Sequence, residues 1–347
     1  MTGEGDNARR AEDARGAEDR GRSGLAALRR MLGRQPLWSR LLGIVAMFGA
    51  AAIAIVLLRR LLAHVRPAEV AAVFATLDPQ AVLLSLAGAA GSYLALTLYD
   101  YLALDVTGHP LPWRRAALTS FCAYSLSHNL GLGVLTGGSA RYRLYSRAGL
   151  SPADVARVVA LTGFTFALGV LAVIGIALLR DPKALGAGGI ALPWWIEDSA
   201  GGVILALLAA AVLLPRGRGR RLRWRRWSMP LPDRRHLALQ ILVSTIDLSC
   251  ASLSLFALLP HMGAALYPSF VLSYAVALVA GLASYVPGGL GVFEAVMLAA
   301  LPEIAPAELL AALIAFRVIY YWIPLLLGGG LFATLEARAA RRRRAAG

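Results

Sequence analysis

The chain has 347 residues, 58% of them hydrophobic, and a formal net charge of +15; its mean hydropathy is +0.63. Apolar runs near the ~20 residues that cross a bilayer mark an integral membrane protein and leave no room for a second, soluble domain. Two cysteines, Cys122 and Cys250, exclude a disulfide framework; His64, His109, His128, His236 and His261 lack metal-ligand spacing, and no phosphate-binding G-x-x-x-x-G-K-[ST] loop occurs, so neither metal nor cofactor is expected.

In chain order, residues 1–40 form a basic tail expected to be disordered, and Leu41 to Leu58 is the first span. It starts too late and runs too directly into Arg59 and Arg60 to be a cleaved signal peptide, so it is expected to be retained. An interfacial helix from Pro67 to Leu77 follows. Further spans are predicted at Ala81–Leu104, Val155–Leu179, Gly201–Leu214, Leu237–Leu259, Leu266–Val286 and Leu309–Leu335. Ala116–Leu135 and Gly288–Leu301 are shorter or broken by glycine, and either cross or re-enter. The reading is an all-α membrane domain over 41–335, with a basic tail at 336–347.

Arginine sets the orientation. Arg22 to Arg40 holds five arginines and no acid, Arg216 to Arg235 holds nine against Asp233, and the chain closes on Arg341 to Arg344. Such charge collects on the cytoplasmic side, where anionic headgroups attract it, whereas the Asp181–Asp198 and Glu303–Glu308 connections are mildly acidic. Both termini are therefore expected in the cytoplasm, with about eight crossings. Arg59, Arg60 and Arg66 fit this scheme badly. The basic excess is a membrane signature and not one of nucleic-acid binding; Trp224 and Trp227 fit an interfacial anchor better than a base-stacking platform.

Two places interrupt the apolar pattern: Ser125 to Arg143 (SLSHNLGLGVLTGGSARYR) and Ser284 to Glu294 (SYVPGGLGVFE). Backbone that leaves the helix at bilayer depth survives only where protein or a polar cavity satisfies it. Both breaks contain Gly-Leu-Gly-Val, at 131–134 and 289–292, which either reflects a weak internal repeat or a shared packing need. Ionisable groups inside apolar segments, Asp100, Asp247, Glu294 and Arg317, cost about 2.5 to 3.5 kcal/mol each at midspan and usually mark pathways. Arg317, Tyr320, Tyr321 and Pro324 recur at helical spacing and share one face, which must look into the protein. Arg317 either neutralises Glu294 or Asp247 in a static pair or handles a ligand; Asp247, beside Ser244 and Thr245, is open to both readings. Arg141 and Arg143 follow Gly137-Gly138-Ser139, an arrangement that either receives a phosphate through paired guanidiniums and free backbone N–H groups or, with Arg147 and Arg157, flanks the membrane.

These residues resemble a known family. GGSARYRLYSRAGLS (137–151), TFALG (165–169), ASYVPGGLGVFE (283–294) and FRVIYYWIPLLLGG (316–329), with the weaker YDYLAL (99–104), are similar to the membrane region of the multiple peptide resistance factor, the lysylphosphatidylglycerol synthase and flippase. The resemblance covers about residues 41 to 335. It implies a part in moving aminoacylated phospholipid between leaflets. The family's synthase activity belongs to a separate cytosolic domain for which no counterpart is seen before Gly347, so that activity is not implied.

The expectation is an inner-membrane protein whose interrupted segments enclose a site for a lipid headgroup. Arg141 and Arg143 would bind its phosphate, Asp100, Glu294 and Arg317 would line or gate the route, and Tyr101 and Tyr320 would supply hydroxyls. Pro287, Gly288, Gly289 and Gly291 would hold the second break open. The partner would be a membrane phospholipid, a glycosylated polyprenyl carrier or a hopanoid precursor; self-association is left open. Two other classes stand beside this one: a membrane-embedded transferase using Glu294 or Asp247, and an accessory subunit recruiting a cytosolic lipid synthase.

Overall fold

The computed structural model of the protein describes residues 56, 66–130, 133–180, 193–214, 221–224, 227–259 and 262–345. The expected Leu41–Leu58 span and the 1–40 tail lie outside them, Val56 excepted. The short α1 (Pro67–Ala75) follows Arg66, as the sequence predicted for this stretch. Helix α2 (Pro79–Val106) starts where the Asp78 carboxylate accepts from the Gln80 N–H at 3.0 Å and Pro79 fills the first turn, whose N–H groups lack helical partners. Then come α3 (Trp113–Leu130), α4 (Gly133–Tyr145), α5 (Pro152–Arg180) and α6 (Trp194–Leu213). A two-stranded antiparallel ribbon, β1 (Arg221–Trp224) with β2 (Trp227–Pro230), pairs Trp224 with Trp227 inside what the sequence marked only as an arginine-rich loop. The side chains of that Trp pair lie outside the description. Helices α7 (Arg234–Phe256), α8 (Tyr267–Ala283), α9 (Val292–Ala300), α10 (Pro306–Phe316) and α11 (Ile323–Ala345) complete the chain, a π-helical segment Arg317–Trp322 joining the last two.

Among the described residues six helices are long and apolar enough to cross a membrane: α2, α5, α6, α7, α8 with its preceding turn, and the α10–α11 run. Lipid offers no hydrophobic drive between helices, so close backbone approach and buried hydroxyls hold them together. Helices α2 and α7 pack tightly: a Cβ on Gly88 would fall 2.8 Å from the Cys250 carbonyl oxygen, and the Ser85 and Ser254 hydroxyls meet at 3.0 Å. Large apolar side chains such as Leu83, Leu207 and Leu326 stay exposed on the perimeter, as a lipid-facing surface requires.

Both breaks are tips of helical hairpins. At about 20 Å and 14 Å, α4 and α9 are too short to cross a ~30 Å hydrocarbon core. Helix α4 folds back along α3, placing Gly137 against Ser127, with a would-be Cβ contact of 3.0 Å. Helix α3 ends at Leu130 and α4 begins at Gly133. This corrects the expectation that Gly137 and Gly138 form the turn: both lie inside α4, where Gly137 lets α3 approach closely. The second break is as the sequence read it. Past α8, Tyr285, Gly288, Gly289 and Gly291 take φ of 57°, 60°, 61° and 80°, a left-handed run that side chains resist, with Pro287 opening a single 3₁₀ turn. The chain then returns beside α8, and Gly289 sits so near Gly281 that a Cβ would lie 3.1 Å from its Cα. The two tips meet: a Cβ on Gly288 would fall 3.4 Å from the His128 carbonyl oxygen.

Candidate functional site

The meeting of the tips leaves a cavity of about 470 Å³. Helix α2 contributes Tyr99, α3 Tyr124 and His128, α4 Arg141, α7 Asp247, α8 Tyr274, the second break Gly288 and Gly289, and the π segment Tyr320 and Tyr321. With Thr162 of α5 and Phe293 of α9, eight elements and one turn converge on one space.

Arg141 is 3% exposed, and its fork is already closed on a carboxylate. Nε donates to Asp100 Oδ2 and Nη2 to Oδ1, both at 2.8 Å, while the Tyr145 hydroxyl donates to Oδ2 at 2.7 Å. The guanidinium carbon lies 4.5 Å from the centre of the Tyr124 ring. Such a bidentate, doubly supported pair repays the desolvation of two charges where a looser one would not. Arg143, two residues on, turns away from this pair: its side chain is 64% exposed, 3.6 Å from Glu336 of α11, which also pairs with Arg147. The expectation of twin phosphate-binding arginines fails on helical geometry, since residues two apart do not share a face.

Arg317 pairs with Glu294 and not with Asp247. Its Nε and Nη2 lie 2.7 and 2.6 Å from Glu294 Oε1, and Nη1 donates to the Gly288 carbonyl at 2.5 Å. The other carboxylate oxygen accepts the Gly291 N–H at 2.7 Å, capping α9. These two residues clamp the second break by satisfying backbone groups that lipid would strand. The π segment is likewise satisfied from outside: the Tyr93 hydroxyl donates to the Tyr320 carbonyl at 3.2 Å and the Asn129 amide to the Tyr321 carbonyl at 3.1 Å.

Of the eight side chains the sequence nominated, Arg141, Asp247 and Tyr320 line the cavity. Asp100, Glu294 and Arg317 stand behind its wall, each held by an ion pair. Arg143 and Tyr101 face outward; Tyr101 is 40% exposed, one residue past the fully buried Asp100 and so about 100° around α2. Asp247, 4% exposed, accepts from Ser92 Oγ at 2.5 Å and Tyr99 OH at 2.9 Å.

Sequence reading passed over Ser92, His128 as a lining residue, and Tyr99, Tyr124 and Tyr274 of the wall. His128 stacks on Tyr320, with centroids 6.2 Å apart and planes at 16°, and its buried Nδ1 has no hydrogen-bond partner among the described residues. The available signal was its place one turn after Tyr124, on the same face of a segment ending in a glycine break.

An all-α bundle, built around a mainly apolar cavity that carries a few polar groups between two interrupted hairpins and dressed in apolar side chains, is a multi-pass membrane protein. The chain belongs to the family described as the lysylphosphatidylglycerol synthase TM region, whose model matches residues 44–328. It is 37% identical over 258 residues to the uncharacterized protein slr0712 of Synechocystis sp., covering 73% of this chain and 80% of that one. It is 33% identical over 263 residues to inner membrane protein YbhN of Escherichia coli, covering 73% and 79%.

Proposed function

We propose that the protein moves an amphipathic lipid between the leaflets of the cytoplasmic membrane, passing the headgroup through the cavity where the hairpin tips meet. The observation that carries this reading is the cavity itself: half-open and largely apolar among membrane-spanning helices, yet carrying a guanidinium, a carboxyl and a set of phenols. A bundle needing only stability would fill that space, since interiors are packed close and polar groups are costly in lipid. Two of the three Arg141 nitrogens bind Asp100, leaving Nη1 to meet a lipid phosphate, while the tyrosine rings give the glycerol and upper acyl chain an apolar, hydrogen-bonding wall. Family membership supports lipid as the cargo class.

The test uses purified full-length protein in liposomes carrying headgroup-labelled fluorescent phosphatidylglycerol, with an impermeant quencher added outside. Faster loss of inner-leaflet signal than in protein-free liposomes is expected. No acceleration for this or for an aminoacylated or neutral probe would overturn the reading, and a new lipid product would favour the transferase instead. In this reading both termini face the cytoplasm, so cysteines introduced at Gly217 and Ala346 should resist an impermeant thiol reagent in intact cells, whereas one at Gly188 should react.

A further inference from the structure

The acids of the core are not matched alike. Asp100 has Arg141 and Glu294 has Arg317, but Asp247 has no cation among the described residues; its two oxygens meet only hydroxyls, from Ser92 and Tyr99. The other groups sharing its cavity are Tyr274 from α8, Tyr285 before the second break, Tyr320 and Tyr321 from the π segment, Tyr124, Ser127 and His128 from α3 and Arg141 from α4, with α5 adding only the neutral Thr162 among polar side chains. The charge of Arg141 is already balanced by Asp100. A carboxylate at this depth without a counter-charge is disfavoured, and a positive charge taken up there relieves it.

The hydroxyl geometry says what that charge would do. Ser92 Oγ lies 2.5 Å from Asp247 Oδ1 and 2.6 Å from Tyr320 OH, and a serine hydroxyl has one proton to donate. While Asp247 is ionised, Ser92 gives that proton to the carboxylate, so Tyr320 must give its own to Ser92. Once Asp247 Oδ1 carries a proton, it donates to Ser92, Ser92 donates to Tyr320, and the Tyr320 O–H is released toward the cavity that it lines. One proton on Asp247 therefore converts Tyr320 from a donor spent inside the wall to a donor offered to whatever occupies the space.

From this relay we infer that Asp247 is a proton-loading site, coupled through Ser92 to Tyr320, and that lipid movement through the cavity is driven or gated by proton uptake. The inference rests on the lipid-moving reading for its second half. Its first half stands on the wall geometry.

Two measurements on the full-length protein in liposomes separate them. Infrared difference spectroscopy should show a protonated-carboxyl band that disappears as pH is raised; the band should be missing from Asp247→Asn and remain, shifted in frequency, in Ser92→Ala. With fluorescent phosphatidylglycerol as the probe, an imposed pH gradient should change the rate of movement several-fold in the wild type. In Ser92→Ala, verified as folded by a monodisperse detergent profile, that response should be lost. A spectrum with no titrating band assignable to Asp247 overturns the proton site, whether or not lipid moves. A titrating band with lipid movement indifferent to the pH gradient, or answering to a sodium gradient instead, overturns the coupling. A titrating Asp247 with no movement of any probe lipid upholds the proton site, rejects its coupling to lipid and sinks the transport reading.

Discussion

Separating Arg141 from Asp100 tests whether the cavity wall is held as described. Three short bonds, at 2.8, 2.8 and 2.7 Å, converge on a carboxylate with no exposed surface, so water cannot take over when one partner goes. Arg141→Gln strands Asp100, with only Tyr145 left to donate, and Asp100→Asn strands the guanidinium against the Tyr124 ring. Each single change should cost about 3 to 5 kcal/mol, the usual penalty for orphaning a buried charge. The double change removes both charges and leaves two amides able to bond each other, so it should return to within about 1 kcal/mol of the wild type. Reversible unfolding in mixed micelles of rising SDS fraction, followed by tryptophan fluorescence, measures the cycle. Single changes each costing under about 1 kcal/mol, or costs that simply add in the double variant, would refute the pairing. The same samples report function: a folded double variant lacks the cavity guanidinium and should move labelled phosphatidylglycerol poorly.

Glu294→Gln should destabilise the protein through the orphaned Arg317, and adding Arg317→Gln should restore only part of the loss, since the Gly288 carbonyl then lacks its donor; the same unfolding assay reads this. Gly288→Ala should cost about 1 to 2 kcal/mol, because φ of 60° is strained for alanine, whereas Gly138→Ala inside α4 should be tolerated. Arg143→Lys should change stability by less than about 0.5 kcal/mol and leave lipid movement intact, because the side chain is exposed and outside the cavity.

Much of the scaffold was legible in the chain. Apolar runs bounded by proline gave α2, α5, α7, α8 and α10, and the Pro287-Gly288-Gly289 turn could be read because three nearby glycines after a proline have few helical uses. Gly137 and Gly138 were wrongly assigned to the turn of the first break because a Gly-Gly pair can also mark a helix that packs closely, and only the partner, here Ser127, decides between them. The site was less legible still. Helical spacing groups residues on one element, so it assembled Arg317 with Tyr320 but said nothing of Arg141 meeting Asp100, 41 positions away on another helix. It likewise gave Asp247 no distinction from Glu294. That difference lies wholly in which cation each carboxyl reaches, and so in the tertiary arrangement.

The π segment between α10 and α11 sets the phase of the last long run. Each π turn adds one residue to an otherwise α-helical path, rotating everything beyond it by about 100° relative to an uninterrupted helix. The carbonyls it frees, those of Tyr320 and Tyr321, are the ones that Tyr93 and Asn129 occupy. Removing a single residue there would mend the helical ladder while swinging α11, and with it Glu336, to a new azimuth. The irregularity thus indexes the two ends of the run against each other, much as a keyway fixes a shaft.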